Sequence, residues 1–135
     1  NPDMAPSAVE ELLRYLSIVQ FGLLRQATED IEIGGRTIPA GEWIIGAITA
    51  GNRDERFFPD PDEINLERTT NRHLAFGFGI HQCIGQQLAR VELQEVFTRL
   101  YARIPTMRLA VDMDELTYKN NTLVYGVQKL PVAWD

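Results

Sequence analysis

A lone cysteine lies in a glycine-rich stretch, where its residue type and position suit a metal ligand. Cys83 is the one cysteine of the chain, and a run with helical periodicity follows it directly. The start of a helix presents unpaired N–H groups and a partial positive charge, which favour a thiolate over a thiol. Gly77, Gly79 and Gly85 are expected to adopt positive φ and to let the backbone pass close to a flat ligand. We therefore expect Cys83 to act as a thiolate ligand.

Other interpretations of this loop fit less well. An isolated cysteine is most often a small buried hydrophobe. The glycines do not form a dinucleotide-binding fingerprint, because Gln82 stands where the third glycine is required. A zinc site is poorly supplied by one cysteine and two histidines. A thiolate bound to haem iron would promote O–O cleavage, and Phe76 is expected to shield the sulfur from water.

The stretch Phe76-Gly77-Phe78-Gly79-Ile80-His81-Gln82-Cys83-Ile84-Gly85 resembles the haem-binding loop of the cytochrome P-450 family, written F-G-x-G-x-H-x-C-x-G. Upstream, Glu11-Leu12-Leu13-Arg14 is similar to that family's E-x-x-R helix. Arg68, fifteen residues before the cysteine, lies where the family places a third ionic partner. The resemblance extends over essentially the whole chain and is greatest to soluble actinobacterial members.

The resemblance implies a role for each of several residues. Cys83 would be the axial ligand of the iron, and Arg25 and His81 would bind haem propionates. The other haem contacts would be Phe76, Gly77, Ile84, Gly85 and Ala89. A buried ionic network would hold the irregular loop beneath the haem and would consist of Glu11, Arg14 and Arg68. The implied substrate-lining residues are Gln20, Phe21, Gly22, Leu23, Thr122 and Leu123.

Each of these roles has an ordinary alternative. His81 would otherwise be a core histidine bonded to backbone, and Arg25 a solvated charge of little energetic weight. Glu11 and Arg14 lie at i and i+3, where most pairs are solvated and contribute a few tenths of a kcal/mol. The apolar residues of the lining segments could equally belong to the core.

The elements that position these residues begin with a helix. Ser7 and Glu10 have the spacing of a capping box, which predicts an amphipathic helix through about residue 18. Strand-like patterning over 23–48, with turns at 34–35 and 39–41, predicts a small antiparallel sheet. An irregular loop follows over 52–73, and Phe57 and Phe58 are expected to be buried in it.

The cysteine loop leads into the longest predicted helix, over residues 84–103, which Pro105 ends. Short strands are predicted at 107–110, 123–125 and 130–134. Together these elements predict a mixed α+β fold in a single domain, which by resemblance is the C-terminal haem-binding part of a mainly helical cytochrome P-450 fold over residues 1–135.

Composition limits the functional classes. The chain has 135 residues, of which 44% are hydrophobic and 24% charged, enough for one modest core. A formal net charge of −6 argues against a nucleic-acid partner. No apolar run reaches the roughly 18 residues that span a bilayer, so no membrane association is expected. A single cysteine fits a reducing cytoplasm.

The resemblance implies a monooxygenase with haem b that inserts one oxygen atom from dioxygen into a hydrophobic small molecule. Electrons would come from NAD(P)H through a ferredoxin-like donor, docked near Arg72 and Arg90. The family's distal proton-delivery helix would lie N-terminal to Asn1, in a missing part of the same protein. The alternative is a non-catalytic haem-binding fragment or interaction module, and the 135-residue chain is expected to be inactive alone.

Overall fold

The computed structural model describes residues 1–20, 22–69 and 71–135, arranged as three α-helices and three two-stranded antiparallel sheets within that part of the chain. The helices are α1 (Ala5–Leu16), α2 (Ile48–Gly51) and α3 (Gln86–Arg103). The strands are β1 (Leu23–Gln26), β2 (Ile31–Ile33), β3 (Arg36–Ile38), β4 (Trp43–Gly46), β5 (Arg108–Leu109) and β6 (Val132–Ala133). The predicted α+β class is confirmed.

Helix α1 begins before the predicted capping box. A 3₁₀ turn over residues 2–4, capped by the side chain of Asn1, runs directly into the helix. Ser7 therefore lies inside α1, and its hydroxyl donates to the carbonyl oxygen of Met4 at 3.1 Å. The capping-box prediction is wrong, and the carboxylate of Glu10 is left for tertiary contacts. The helix ends at Leu16, because Ser17 adopts a left-handed conformation with φ 41°.

The strand region forms two separate hairpin pairs rather than one sheet. Strand β1 pairs with β4, with Leu23 opposite Gly46, and β2 pairs with β3 within the intervening segment. The predicted turn at residues 34–35 is confirmed, with φ of 58° and 76° at its two glycines. Strand pairing ends at Gly46, and Ile48 opens the short helix α2 instead of closing a strand. Ile48 is buried there.

The loop over residues 52–73 contains no regular helix or strand among its described residues, as predicted. The expected burial of its phenylalanine pair holds for one ring. Phe58 is buried, whereas Phe57 is largely exposed. Phe58 lies against Arg14 of α1, whose guanidinium carbon is 5.4 Å from the centroid of its ring.

Helix α3 follows the cysteine loop and packs against α1. Beyond it, β5 and β6 pair antiparallel as the predicted strands near residues 107–110 and 130–134. The third predicted strand, at 123–125, is reduced to a bridge between Val19 and Val124. This bridge ties the segment after α1 to the C-terminal region.

The buried residues of this chain are few, and polar groups are prominent among them. The buried apolar residues are Ala5, Val9, Ala27, Ile48 and Phe58. The buried polar ones are Glu11, Arg14, Ser17 and Asn52. A helix packed only on one side leaves apolar surface open, and α3 exposes Leu88, Val91, Val96 and Tyr101. Within the described residues, no helix is both long and apolar enough to cross a bilayer.

Candidate functional site

The cysteine loop is closed by its own backbone. A turn brings the amide of Gly77 to the carbonyl oxygen of Leu74 at 2.8 Å, and the amide of Cys83 donates to the carbonyl oxygen of Phe76 at 2.8 Å. Gly77 and Gly79 have φ of 74° and 77°, as expected for glycines in this loop. Any other residue would be strained at these two positions. These backbone bonds and glycine conformations shape the loop that carries Cys83.

Gly85 differs from the other two glycines. Its φ is −81°, so the expectation of positive φ is wrong at this position. Gly85 is instead the N-cap of α3, and its carbonyl oxygen accepts the amide of Ala89 at 3.0 Å. A Cβ at Gly85 would lie 3.8 Å from the Sγ of Cys83, an ordinary contact distance. Cys83 therefore lies two residues before the N-cap of an 18-residue helix.

The thiol lies on an apolar surface of the chain. Cys83 is exposed, and the side chains around it in sequence are exposed too, with Phe78 at 81% and Ile80 at 97%. Ile84 is fully exposed, and His81 is exposed at the end of a 3₁₀ turn over residues 79–81. The described residues contain no cluster of three or more metal-ligating side chains. One thiol donor among apolar side chains fits a flat apolar group held through a single protein ligand.

Strand β1 lies next to this loop. A Cβ at Gly77 would lie 3.9 Å from Cδ1 of Leu23, which places the start of β1 against the loop. Arg25, two residues further along β1, is exposed, and its guanidinium donates to the carbonyl oxygen of Leu24 at 2.9 Å. A guanidinium bonded only to its neighbour's carbonyl retains donors for an anionic ligand.

A buried ionic network lies between α1 and the irregular loop over residues 52–73. Glu11 and Arg14 are both fully buried and form a bidentate pair, with distances of 2.9 and 2.7 Å between guanidinium nitrogens and carboxylate oxygens. Arg68 reaches the same carboxylate, with its Nε 3.1 Å from Oε2. The structure thus brings all three expected network residues together, and both arginines share one carboxylate.

The same network holds the irregular loop by its backbone. Arg14 donates to the carbonyl oxygens of Asn52, Pro61 and Glu63 at 2.8 to 3.1 Å. Arg68 donates to the carbonyl oxygen of Pro59 at 2.7 Å. Because a loop without regular structure has no ladder to satisfy its carbonyl groups, these guanidinium donors replace the missing hydrogen bonds. The pair is therefore not the solvated one that its i, i+3 spacing alone would suggest.

The carboxylate of Glu11 is held in its ionised form. Burial alone would raise its pKa, but hydrogen bonds from Arg14 and from the amide of Asn65, with the charges of both arginines, lower the pKa to about 2. Oε2 also accepts the side-chain amide of Asn71 at 3.0 Å. The carboxylate of Glu11 is therefore ionised near neutral pH.

Sequence reasoning missed two members of this region, Ser17 and Asn52. The amide of Asn52 donates to the hydroxyl of Ser17 at 2.8 Å, and its Oδ1 accepts the amide of Leu74 at 2.6 Å. Ser17 in turn donates to the carbonyl oxygen of Arg14. Asn52 thereby links the end of α1 to the start of the cysteine loop. A lone asparagine after an apolar segment carries no sequence signal of such a role.

The two segments expected to line a substrate pocket are joined through their backbones. The amide of Gln20 donates to the carbonyl oxygen of Leu123 at 3.2 Å. The hydroxyl of Thr122 bonds within its own turn, to the carbonyl oxygen of Val124 at 2.7 Å. Leu23 is exposed at the start of β1. Phe21, also assigned to this lining, lies outside the described residues.

Gly22 has a structural requirement that the sequence did not reveal. A Cβ at this position would lie 1.8 Å from the carbonyl oxygen of Gly46 on the paired strand. No side chain fits at such a distance, so glycine is required by the close approach of β1 and β4.

The two arginines expected at a docking surface differ in their surroundings. Arg72 is exposed at the end of the irregular loop. Arg90 is engaged with Glu10, with Nε 2.7 Å from Oε1, and its side chain is only 22% exposed. The carboxylate of Glu10 therefore compensates the charge of Arg90, whereas Arg72 is exposed.

The fold is of α+β class, and its cysteine loop carries an exposed thiol between left-handed glycines and the start of a long helix. Comparison with known proteins is consistent with this class. The family model of Cytochrome P450 matches residues 3–104. The chain therefore belongs to the cytochrome P450 family, and it corresponds to the C-terminal part of that fold.

Relatives and a solved structure match this chain over 99% or more of its length. It is 52% identical over 134 residues to Cytochrome P450-SU2 of Streptomyces griseolus, covering 99% of this chain and 33% of the relative. It is 48% identical to the 20-oxo-5-O-mycaminosyltylactone 23-monooxygenase of Streptomyces fradiae, covering 99% and 32%. The crystal structure of cytochrome P450 MoxA from Nonomuraea recticatena superposes with a TM-score of 0.95 at 52% identity, covering 100% and 34%. The chain thus spans about a third of the length of these proteins.

Proposed function

We propose that this chain supplies the haem-binding part of a haem-thiolate monooxygenase, with Cys83 as the axial ligand of haem b. The observation that carries the proposal is the exposed thiol, fixed by the bond from its own amide to Phe76 and placed two residues before the N-cap of α3. A relative named as a monooxygenase, which matches 99% of this chain, supports it.

The residues present fit such a group. The exposed apolar side chains beside Cys83 offer a surface for a porphyrin, and the proposed haem contacts are Arg25, Phe76, Gly77, His81, Cys83, Ile84, Gly85 and Ala89. When bound, haem iron with a thiolate ligand would activate dioxygen with electrons derived from NAD(P)H. The chain's own part is to hold the sulfur at a fixed position beside these apolar side chains.

The direct test is the carbon monoxide difference spectrum of the reduced, haem-loaded protein. A thiolate-type Soret band is expected, because carbon monoxide bound opposite a thiolate gives a band distinct from that opposite a histidine or a neutral thiol. A spectrum of a histidine- or thiol-ligated type would contradict the proposal.

The substrate is proposed to be a hydrophobic small molecule. The proposed lining residues are Gln20, Phe21, Gly22, Leu23, Thr122 and Leu123, in two segments that the backbone bond between Gln20 and Leu123 holds together. The relative from Streptomyces fradiae is named for a large glycosylated lactone, which favours a bulky organic substrate. We also propose a cytoplasmic location, since a reducing compartment leaves the single thiol available for ligation.

The rest of the haem pocket is proposed to come from a preceding part of the same protein. The chain aligns with about a third of each relative, and helix α3 exposes Val96 and Phe97. Residues 1–135 would then be the haem-binding part of a single domain, inactive as an isolated chain because productive oxygen activation needs a closed, dry pocket. The alternative of a non-catalytic binding module is less favoured, since the chain belongs to the cytochrome P450 family and one relative is named as a monooxygenase.

Arg25 and His81 are proposed to bind the haem propionates. Substituting Arg25→Gln or His81→Asn should each weaken haem affinity by about tenfold, since a hydrogen bond to a charged group contributes about 1.5 kcal/mol or more. Haem titration into the haem-free protein measures this. Arg36→Gln, which changes an exposed arginine on β3, is the matched control. An affinity that stays at the wild-type value in either variant would remove that residue from the site.

A ferredoxin-like electron donor is proposed to dock beside the cysteine loop at Arg72. Charge reversal by Arg72→Glu should slow reduction by an acidic ferredoxin by about tenfold at low salt, and the difference should vanish at high salt. Stopped-flow reduction of the haem iron provides the rate. Arg36→Glu makes the same charge change on the distant β2–β3 hairpin and should leave the rate unaltered. Equal rates for the Arg72 variant and wild type would exclude this docking surface.

A further inference from the structure

A second polar cluster, separate from the Glu11 network, connects α1 to both sides of the cysteine loop. Its central group is the carboxylate of Glu10. Oε2 lies 3.1 Å from Nε2 of His73, just before the loop. Both oxygens also accept from Arg90, Oε1 from Nε at 2.7 Å and Oε2 from Nη2 at 3.1 Å. Arg90 lies on α3, after the loop.

The bond between Glu10 and His73 orders the turn that leads into the cysteine loop. The side chain of His73 is 1% exposed, and its Nδ1 accepts the amide of Ala75 at 3.2 Å. Burial lowers the pKa of His73, with Glu10 opposing the shift, so the ring is neutral near pH 7. Because Nδ1 is an acceptor, the proton lies on Nε2 and is donated to Glu10.

Arg90, the other partner of Glu10, contacts Phe76, the residue whose carbonyl oxygen accepts the amide of Cys83. The guanidinium carbon of Arg90 lies 4.8 Å from the centroid of the Phe76 ring, within cation–π range. The ring of His73 lies 6.2 Å from the same centroid. The carbonyl oxygen of Phe76 accepts the amide of Cys83 at 2.8 Å. Arg90 also donates to the side chain of Gln86 at 2.9 Å, in the first turn of α3.

We propose that Glu10 is a positioning residue for Cys83, acting through His73 and Arg90 to fix Phe76 and thereby the amide and sulfur of the ligand. The inference rests on the proposed function, since it treats Cys83 as the ligand. The inference also goes beyond the proposed function, because Glu10 is not a proposed haem contact. Glu10 acts on Cys83 only through its bonds to His73 and Arg90.

The experiment compares Glu10→Gln with Glu95→Gln. Glu95 forms an exposed i, i+4 pair with Arg99 on α3 and so provides the matched loss of a carboxylate on the same helix that carries Arg90. Glu10→Gln should speed hydrogen exchange at the Cys83 amide by about tenfold, the effect of losing a charge-assisted hydrogen bond. The Asn65 amide, which bonds to Glu11, should exchange at the wild-type rate, as should both amides in Glu95→Gln.

A second readout follows the ligand itself. In the haem-loaded Glu10→Gln protein, the thiolate-type carbon monoxide complex should convert to the thiol-ligated form about tenfold faster under mild denaturant. Combining Glu10→Gln with Arg90→Lys should add little to either single change, because the two residues act as one unit. Arg90→Lys alone keeps the charge, loses the bidentate pair and serves as the second variant if Glu10→Gln folds poorly.

The two hypotheses fail in different ways. A wild-type protein without a thiolate-type band would overturn the proposed function, while exchange at the Cys83 amide would still decide the role of Glu10. Unchanged exchange at Cys83 in both Glu10→Gln and Arg90→Lys would overturn the positioning role. Equal acceleration at the Cys83 and Asn65 amides would also overturn it, since it would make Glu10 a general stabiliser of the fold.

Discussion

Substituting Cys83 by alanine should abolish the thiolate-type Soret band of the reduced, carbon monoxide-treated protein. The chain has one cysteine, so no other residue can replace the sulfur as an anionic soft ligand. Haem should still bind, because its apolar contacts and propionate partners are other residues, and its iron should then take a weaker ligand. Cys83→Ala is therefore expected to lose the thiolate-type Soret band of the wild-type protein completely.

The structure explains why this substitution should leave the loop itself intact. The bond that fixes Cys83 is donated by its backbone amide to Phe76, and alanine retains that amide. The two left-handed glycines that shape the loop are unchanged. Circular dichroism should therefore match wild type.

Gln87→Ala is a suitable control for Cys83→Ala, because Gln87 is exposed in the first turn of α3, and this variant should keep the thiolate-type band. A thiolate-type band that persists in Cys83→Ala would show that the axial ligand has been assigned to the wrong residue.

The sequence was sufficient to predict the cysteine loop because the chemistry there is local. Positive φ at Gly77 and Gly79 and a thiol before a helix all lie within ten residues of one another. The one error within the loop, at Gly85, arose because a helix N-cap also favours glycine for reasons other than positive φ.

The capping-box prediction failed because a tertiary contact competes for the same carboxylate. Glu10 reaches Arg90, eighty residues away, instead of the start of its own helix. A guanidinium and a buried imidazole are stronger partners for a carboxylate than one backbone amide. Pairings at such sequence separation leave no periodic signal, and the role of Asn52 was missed for the same reason.

The ionic network shows a third case, in which the family resemblance predicts a buried network but the spacing of its residues does not. Spacing alone suggests that Glu11 and Arg14 form a solvated pair, but both are fully buried. Their burial follows from the irregular loop that folds over them and presents its carbonyl groups. The contribution of the Glu11–Arg14 pair to stability therefore depends on the irregular loop, which has no sequence periodicity of its own.

Substituting Arg14 by lysine should lower the free energy of unfolding by about 3 to 5 kcal/mol, the range found when a buried ion pair loses one partner. Lysine keeps the charge, yet it cannot bond to the carboxylate bidentately while also reaching the carbonyl groups of Asn52, Pro61 and Glu63. Several buried acceptors are left without donors, and this loss dominates the expected effect.

Arg99→Lys is the matched control, since it changes an exposed arginine paired with Glu95, and it should alter stability by about 0.5 kcal/mol or less. Urea unfolding followed by tryptophan fluorescence measures both variants. A loss in Arg14→Lys no larger than in Arg99→Lys would show that the network does not hold the irregular loop.

The pH dependence of unfolding provides an independent view of the same network. The pKa of Glu11 is lowered from 4.5 to about 2 in the folded protein, so the unfolded chain binds the proton more tightly. The stabilisation from this group is complete above about pH 4.5 and is lost as the pH falls toward 2. In Arg14→Lys, weaker hydrogen bonds leave the pKa of Glu11 less depressed, so stability should depend less steeply on pH over this range. An equally steep decline in the variant and in wild type would mean that Arg14 does not hold the carboxylate of Glu11 in its ionised form.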